Sequence, residues 1–292
     1  MRANLAALSL LVLGGAAVCS AQQTDSQPPV SAAKQPGYSD VYCSGFISDP
    51  KVPDDIRVIS GEQSNYKIAW VNGEFLYINR GEDKGVKVGD RFSIVRLEHD
   101  EANEWFKGQY KQQKEMGTLY RDAGQVRVVN VQPKVSIAKV EFTCGYLLRG
   151  DIARPFEERP TPAFKEVGNF DFFAPVSGKP VGKVVATRDN PQALGRGDTM
   201  YVTVGATKGL KVGDYMRVYR YQGTRDDFAA DVPGFQYKVE GFGASPTKYE
   251  PKDLPREVLG EAVVLNVTKN AATVMVTYTR FPLFTGDFVE IE

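Results

Sequence analysis

A single histidine, a pair of cysteines and aspartates beside glycines are what this 292-residue chain offers to chemistry. His99 sits in Glu98-His99-Asp100-Glu101, a polar stretch following an apolar segment. Acid/base or metal work needs further groups converging on the imidazole, so the sequence favours a solvated loop histidine. Carboxylate pairs for hydrolytic chemistry are conceivable at Asp90 and Asp214, or at Asp226 and Asp227. These aspartates fall at turns, where the side chain serves backbone amides. Two Arg-Gly-Asp triplets, at Arg149 and Arg196, read as Gly-Asp turns before strands, and the sequon Asn266-Val267-Thr268 lies within a strand pattern. The expectation is a non-enzymatic protein with no catalytic residue, no cofactor and no metal.

The cysteines carry a different message. Of three, Cys19 lies in the opening stretch MRANLAALSLLVLGGAAVCSA, where Arg2, an apolar run from Leu5 to Val18 and small residues describe a secretory signal spanning 1–21. Acylation of Cys19 is the competing reading, and Ala16-Ala17-Val18 is a poor approach to it because the preceding position is normally smaller. Cleavage before Gln22 leaves Cys43 and Cys144, which in an exported chain point to a disulfide rather than to a metal site or nucleophile. The 36 Lys and Arg balance 36 Asp and Glu, which gives no electrostatic case for nucleic acid or an anionic membrane surface. No apolar run after the signal approaches the roughly 20 residues of a membrane span. The expected compartment is the periplasm or outer cell envelope.

The elements that must position these residues are strands. Residues 22–38, rich in Gln, Ser and Pro, read as a flexible leader. From Val41 onward short apolar segments with period-two alternation are punctuated by Gly, Asn and Asp, as in Phe75 to Asn79, Arg91 to Arg96, Gln125 to Val131 and Ser136 to Phe142. Little helix is expected. The segments repeat: KGVKVGD at Lys84 returns as KGLKVGD at Lys208, and Phe75 to Arg96 matches Thr199 to Arg220 at an offset of 124. Gly124 to Val131 matches Gly260 to Val267 at an offset of 136, which also pairs Gly150-Asp151 with Gly286-Asp287. That period is too long for a solenoid. It predicts an all-β chain of two tandem small β-barrels related by internal duplication, at 39–158 and 159–292, with a proline-rich boundary near residues 155–162 and separable barrels. In each turn Gly85 and Gly89, or Gly209 and Gly213, are expected to take positive φ. The apolar residues between them should plug the sheet, and Asp90 or Asp214 should accept from nearby amides.

Tyr77 to Gly81, the Gly85 to Arg96 block, the polar insert, the Gly-x-Val-x-Val strand and Gly150-Asp151 together resemble the C-terminal domain of flagellar assembly protein T, a small β-barrel of bacterial envelope proteins. The resemblance covers residues 58–153 and 184–292 and implies a barrel fold, an envelope location and protein partners. It includes no counterpart of that family's other domains.

Between the matched blocks lie two inserts. Residues 97–123 hold Trp105, Phe106 and Tyr110, and residues 221–259 hold Phe228, Phe235, Tyr237, Phe242 and Tyr249. Connections of this length often bear function. These aromatics either pin the inserts to the barrels or form a contact surface for another chain or a glycan. The expected function is a structural or assembly component of the cell envelope, working through contacts with other envelope proteins or its own copies. The alternative is a module that binds peptidoglycan or another glycan. Cys43 and Cys144 are expected to be bridged, with the bridge serving the first barrel alone.

Overall fold

The computed structural model describes residues 35–98, 104–165, 170–221 and 255–292. The expected signal, most of the leader, His99, Asp226 and Asp227 lie outside the described residues.

Glycines and prolines cut the chain into short strands, and alternation within each strand gives the sheets a buried face. The first half runs α1 (Tyr38–Tyr42), β1 (Phe46–Ser48), β2 (Val58–Gly61), β3 (Ala69–Trp70), β4 (Phe75–Ile78), β5 (Arg91–Leu97), α2 (Gln109–Met116), β6 (Thr118–Val131), β7 (Ser136–Thr143), β8 (Leu147–Leu148) and β9 (Ile152–Pro155). Its antiparallel sheet has the order β2-β4-β7-β6-β5-β9, with β1 added beside the start of β6 and β3 paired with β8. Trp70, Leu76, Ile94, Val126 and Leu147 are among its core residues. The second half runs β10 (Val181–Thr187), β11 (Thr199–Val202), β12 (Tyr215–Tyr221), β13 (Arg256–Val267), β14 (Ala272–Thr279) and β15 (Phe288–Ile291). These six strands close into a barrel in the order β10-β11-β14-β13-β12-β15, around Leu194, Met200, Met216, Val264 and Leu283.

The expectation of two closed barrels therefore holds for the second half only. In the first half the sheet is open, and its outer strands meet through an isolated bridge between Arg57 and Ile152. Val58 N donates to Asp151 O at 2.9 Å and Gly150 N donates to Val58 O at 2.7 Å. β10 has seven residues and its first-half counterpart β2 has four.

Local geometry nonetheless recurs between the halves. Val58 pairs with Ile78, a bulge follows, and Ser60 pairs with Tyr77; likewise Val184 pairs with Val202, a bulge follows, and Ala186 pairs with Tyr201. Tyr77 then faces Ile137 as Tyr201 faces Thr273. Each half carries a one-turn 3-10 helix, Glu82–Lys84 or Ala206–Lys208, ended by a left-handed glycine, Gly85 at φ 78° or Gly209 at φ 81°. A side chain there would be strained, which is why the motif spells glycine twice. Lys87 N donates to Asp90 Oδ2 at 2.9 Å, and Lys211 N to Asp214 Oδ2 at 2.8 Å. Gly89 and Gly213 also have positive φ. Val86 and Leu210 plug the sheet as expected, whereas Val88 points to solvent, since the turn between the glycines presents only one side chain inward.

The first insert departs from the expected irregular connection. It contains the eight-residue helix α2 between Gly108 and Gly117, and β6 starts well before the matched Gly124 block.

Candidate interaction surfaces

The buried carboxylates are already engaged. Arg96 grips Asp151 through Nε at 2.7 Å and Nη2 at 2.9 Å, and Arg220 grips Asp287 at 2.6 and 2.7 Å. The same aspartates accept from Leu148 N and Phe284 N, so each pair fixes the strand-to-turn junction before the last strand of its half. Burial pushes the Asp287 carboxyl above its ordinary range, against the pull of Arg220. Arg256 binds both oxygens of buried Glu290 at 2.7 Å and also donates to Ala174 O and Pro175 O. Burial would raise the Glu290 carboxyl, but the guanidinium and the Ser177 amide hold it below its ordinary value. Guanidinium-paired, multiply bonded carboxylates hold strands in place rather than transfer protons. Among the described residues no group of three or more His, Cys, Asp or Glu gathers into a metal-binding cluster.

The aromatics of the first insert divide. Phe106 is buried with Ile47, Met116, Val185, Ala186, Tyr201 and Ala271, so it packs between the halves and is unavailable as a binding surface. Its ring found a partner face 80 residues further along the chain, which no local pattern announces. Gln109, the first residue of α2, donates Nε2 to Val185 O at 2.8 Å in the same buried seam. Trp105 and Tyr110 are partly solvent exposed. Phe228, Phe235, Tyr237, Phe242 and Tyr249 lie outside the described residues.

Cys43 and Cys144 are bridged. The bridge does not serve the first half alone. Directly after it, three successive carbonyls are taken by second-half side chains: Cys43 O by Arg188 Nη1 at 3.2 Å, Ser44 O by Tyr201 Oη at 2.9 Å and Gly45 O by Thr273 Oγ1 at 3.4 Å. From the other side Gly45 N donates to Asp122 Oδ2 at 2.9 Å, and Arg159 clasps both oxygens of Asp122 at 2.8 and 2.6 Å. Gly45 has φ 68°, and a Cβ there would lie 2.3 Å from Tyr201 Oη, so only glycine fits the approach. Burial drives the ionisation of Tyr201 far upward, keeping its hydroxyl a donor. Arg121 adds an ion pair to Asp189 at 2.9 Å.

Among the described residues, apolar side chains are open to solvent on both halves. On the second half, Phe173 is 62 % exposed, Val176 66 % and Phe281 44 %. Phe172 packs against Phe173 and Phe281 at 4.7 and 5.9 Å between centroids, and the Arg280 guanidinium lies 4.6 Å from the Phe172 centroid. Among the described residues Arg280 has no carboxylate partner. The density of rings in Phe170-Asp171-Phe172-Phe173 was the available sequence signal; it lies between the boundary expected near residues 155–162 and the region of resemblance that starts at 184. On the first half, Ile59 is 38 % exposed beside the partly exposed Tyr77, Val135 and Ile137. A cleft of about 200 Å³ opens at the seam beside Ile47, Met116, Leu119 and Ala186. Another of about 340 Å³, at one end of the barrel, is bordered by Lys179, Lys208, Lys211 and Glu292.

No family model matches the sequence, and no curated protein matches it. No helix among the described residues is long and apolar enough to cross a membrane.

Proposed function

We propose that the chain is an exported, non-enzymatic component of a bacterial cell envelope, built from two copies of one barrel unit and acting through protein contacts. The observation that carries this reading is the exposed Phe173, Val176 and Phe281 surface with Arg280 stacked on its rings. Aromatic residues and arginine grouped in this way are the composition of binding hot spots. Recurrence of the bulge, the 3-10 turn and the Arg-Asp pair at matching positions supports derivation of both halves from one unit, the first having lost closure. The resemblance of both halves to the C-terminal domain of flagellar assembly protein T supports the envelope assignment, as does a disulfide, which persists in oxidising compartments.

The test is affinity capture from crosslinked envelopes with the wild-type chain and with Phe173→Asp combined with Phe281→Asp. A protein captured by the wild type and lost with the double variant is expected. Equal capture by both would remove this surface from the function.

Trp105 and Tyr110, with rings partly open to solvent around the start of α2, favour a second reading as a glycan-binding module. Co-sedimentation with insoluble peptidoglycan tests it, and protein left wholly in the supernatant would dismiss it.

A further inference from the structure

The cleft of about 340 Å³ at one end of the second-half barrel is bordered by three lysines, Lys179, Lys208 and Lys211, and by two carboxylates, Asp214 and Glu292. Both carboxylates are engaged by the chain itself. Asp214 Oδ2 accepts from Lys211 N at 2.8 Å, the closing bond of its own turn. Glu292 Oε2 accepts from Lys165 Nζ at 2.7 Å, and its other oxygen lies 3.4 Å from Arg217 Nε. The three ammonium groups have no such counter-charge. Lys208 Nζ donates to two main-chain oxygens, Val181 O at 3.3 Å and Thr203 O at 3.4 Å, and Lys179 Nζ donates to the main-chain oxygen of Glu292. Among the described residues no side-chain carboxylate lies within ion-pair distance of any of the three, since Glu261 and Glu292 pair with Lys165.

A carbonyl orients an ammonium without neutralising it, so the cleft keeps its positive charge. Cations gathered at one concavity repel one another, and an anion placed among them turns that repulsion into attraction. Lys208 and Lys211 come from a single turn, with left-handed Gly209 between them, where a Cβ would meet nothing within 4 Å. That glycine leaves the cleft wall between the two lysines open. The cations are lysines and not arginines, which favours a phosphate group: an ammonium acts as a point charge on any of several oxygens, whereas a guanidinium selects by paired, planar bonds. The volume stands at the lower end of small-ligand clefts, and Pro180, Tyr215 and Ile291 add apolar wall beside the lysines.

We infer that this cleft binds a phosphate group, neutralised by Lys179, Lys208 and Lys211. The site goes beyond the envelope-component reading and shares no residue with the Phe173–Phe281 surface that carries it.

Isothermal titration calorimetry of the full chain at low ionic strength, with inorganic phosphate and with glycerol 3-phosphate as probes, tests this. Saturable binding of at least one probe is expected. Lys208→Gln combined with Lys211→Gln should weaken it about tenfold or more, and Lys179→Gln alone should weaken it in the same direction. Circular dichroism and melting should match the wild type, because all three lysines are exposed. Lys84→Gln combined with Lys87→Gln removes the same charge from the matching motif of the first half and should leave binding unchanged. Tighter binding of glycerol 3-phosphate would assign the site to a phosphate ester that uses the apolar wall, and equal binding of the two probes would assign it to the phosphate group alone; both uphold the inference. Titrations in which neither probe saturates overturn it. Equal weakening by the two double variants overturns it as well, since the attraction would then come from net charge and not from the cleft.

Discussion

At the scale of single residues, Gly45 and Tyr201 form a tight constraint across the seam. Gly45→Ala places a methyl against the Tyr201 hydroxyl at a positive φ, a combination expected to cost about 1–3 kcal/mol in denaturant unfolding. In a Tyr201→Phe background, which removes the clashing oxygen, the same substitution should cost measurably less, and equal costs would show that the clash is not the cause. Glu290 provides a second residue-scale expectation. Its carboxyl is held below its ordinary 4.5 in the fold, so the stabilisation from Arg256 is complete above that pH and is lost as pH falls through the lower folded value. Glu290→Gln should therefore flatten the acid limb of a stability profile, and Glu290→Ala, which leaves a buried guanidinium unpaired, should cost about 3–5 kcal/mol at neutral pH. Residues whose role is set by their own turn were legible in the sequence: Gly85, Gly209, Asp90 and Asp214 need only neighbours three to five positions away. Phe106 was not legible, because its burial depends on Val185 and Tyr201, and a ring among charged residues looks the same whether or not a distant face covers it.

At the scale of elements, strands declared themselves and helix α2 did not. Alternation in Gln125 to Val131 exposes a strand directly, whereas Gln-Tyr-Lys-Gln-Gln-Lys-Glu-Met has almost no apolar stripe and is held at the seam by two buried residues, Gln109 and Met116. Gln109→Ala should accordingly cost about 1–3 kcal/mol, since it strands the buried Val185 carbonyl. The Cys43–Cys144 pairing was legible from the cysteine count and the export expected from the opening stretch, but its reach was not. Replacing both cysteines by serine is expected to lower stability by about 2–4 kcal/mol and to speed hydrogen exchange in β10 and β11 of the second half, because the carbonyls docked on Arg188, Tyr201 and Thr273 lose their anchor. Acceleration confined to the first half would restore the narrower role expected from sequence. Closure of the second barrel alone was equally hidden, since repeat matching places a strand but does not measure its length.

At the scale of the whole molecule, the described core residues form two sheet interiors joined by a third apolar cluster at the seam. Calorimetry should therefore record one cooperative transition for the chain, and two resolved transitions would mean that the seam contributes little. The seam is also lopsided in what it reads. Where the segment after Cys43 enters it, the side chains of Arg188, Tyr201 and Thr273 stand on one side and peptide carbonyls, which are the same in every amino acid, stand on the other. A partner recognised through its main chain can drift in sequence without being rejected, provided that the path of the chain is kept. The burden of maintaining this part of the seam in descendants thus falls on the three donors and on the glycine that lets them close in, while Cys43 and Ser44 are constrained by what holds their backbone still. A barrel bearing those donors is in effect a reader of backbone shape at that point of the seam.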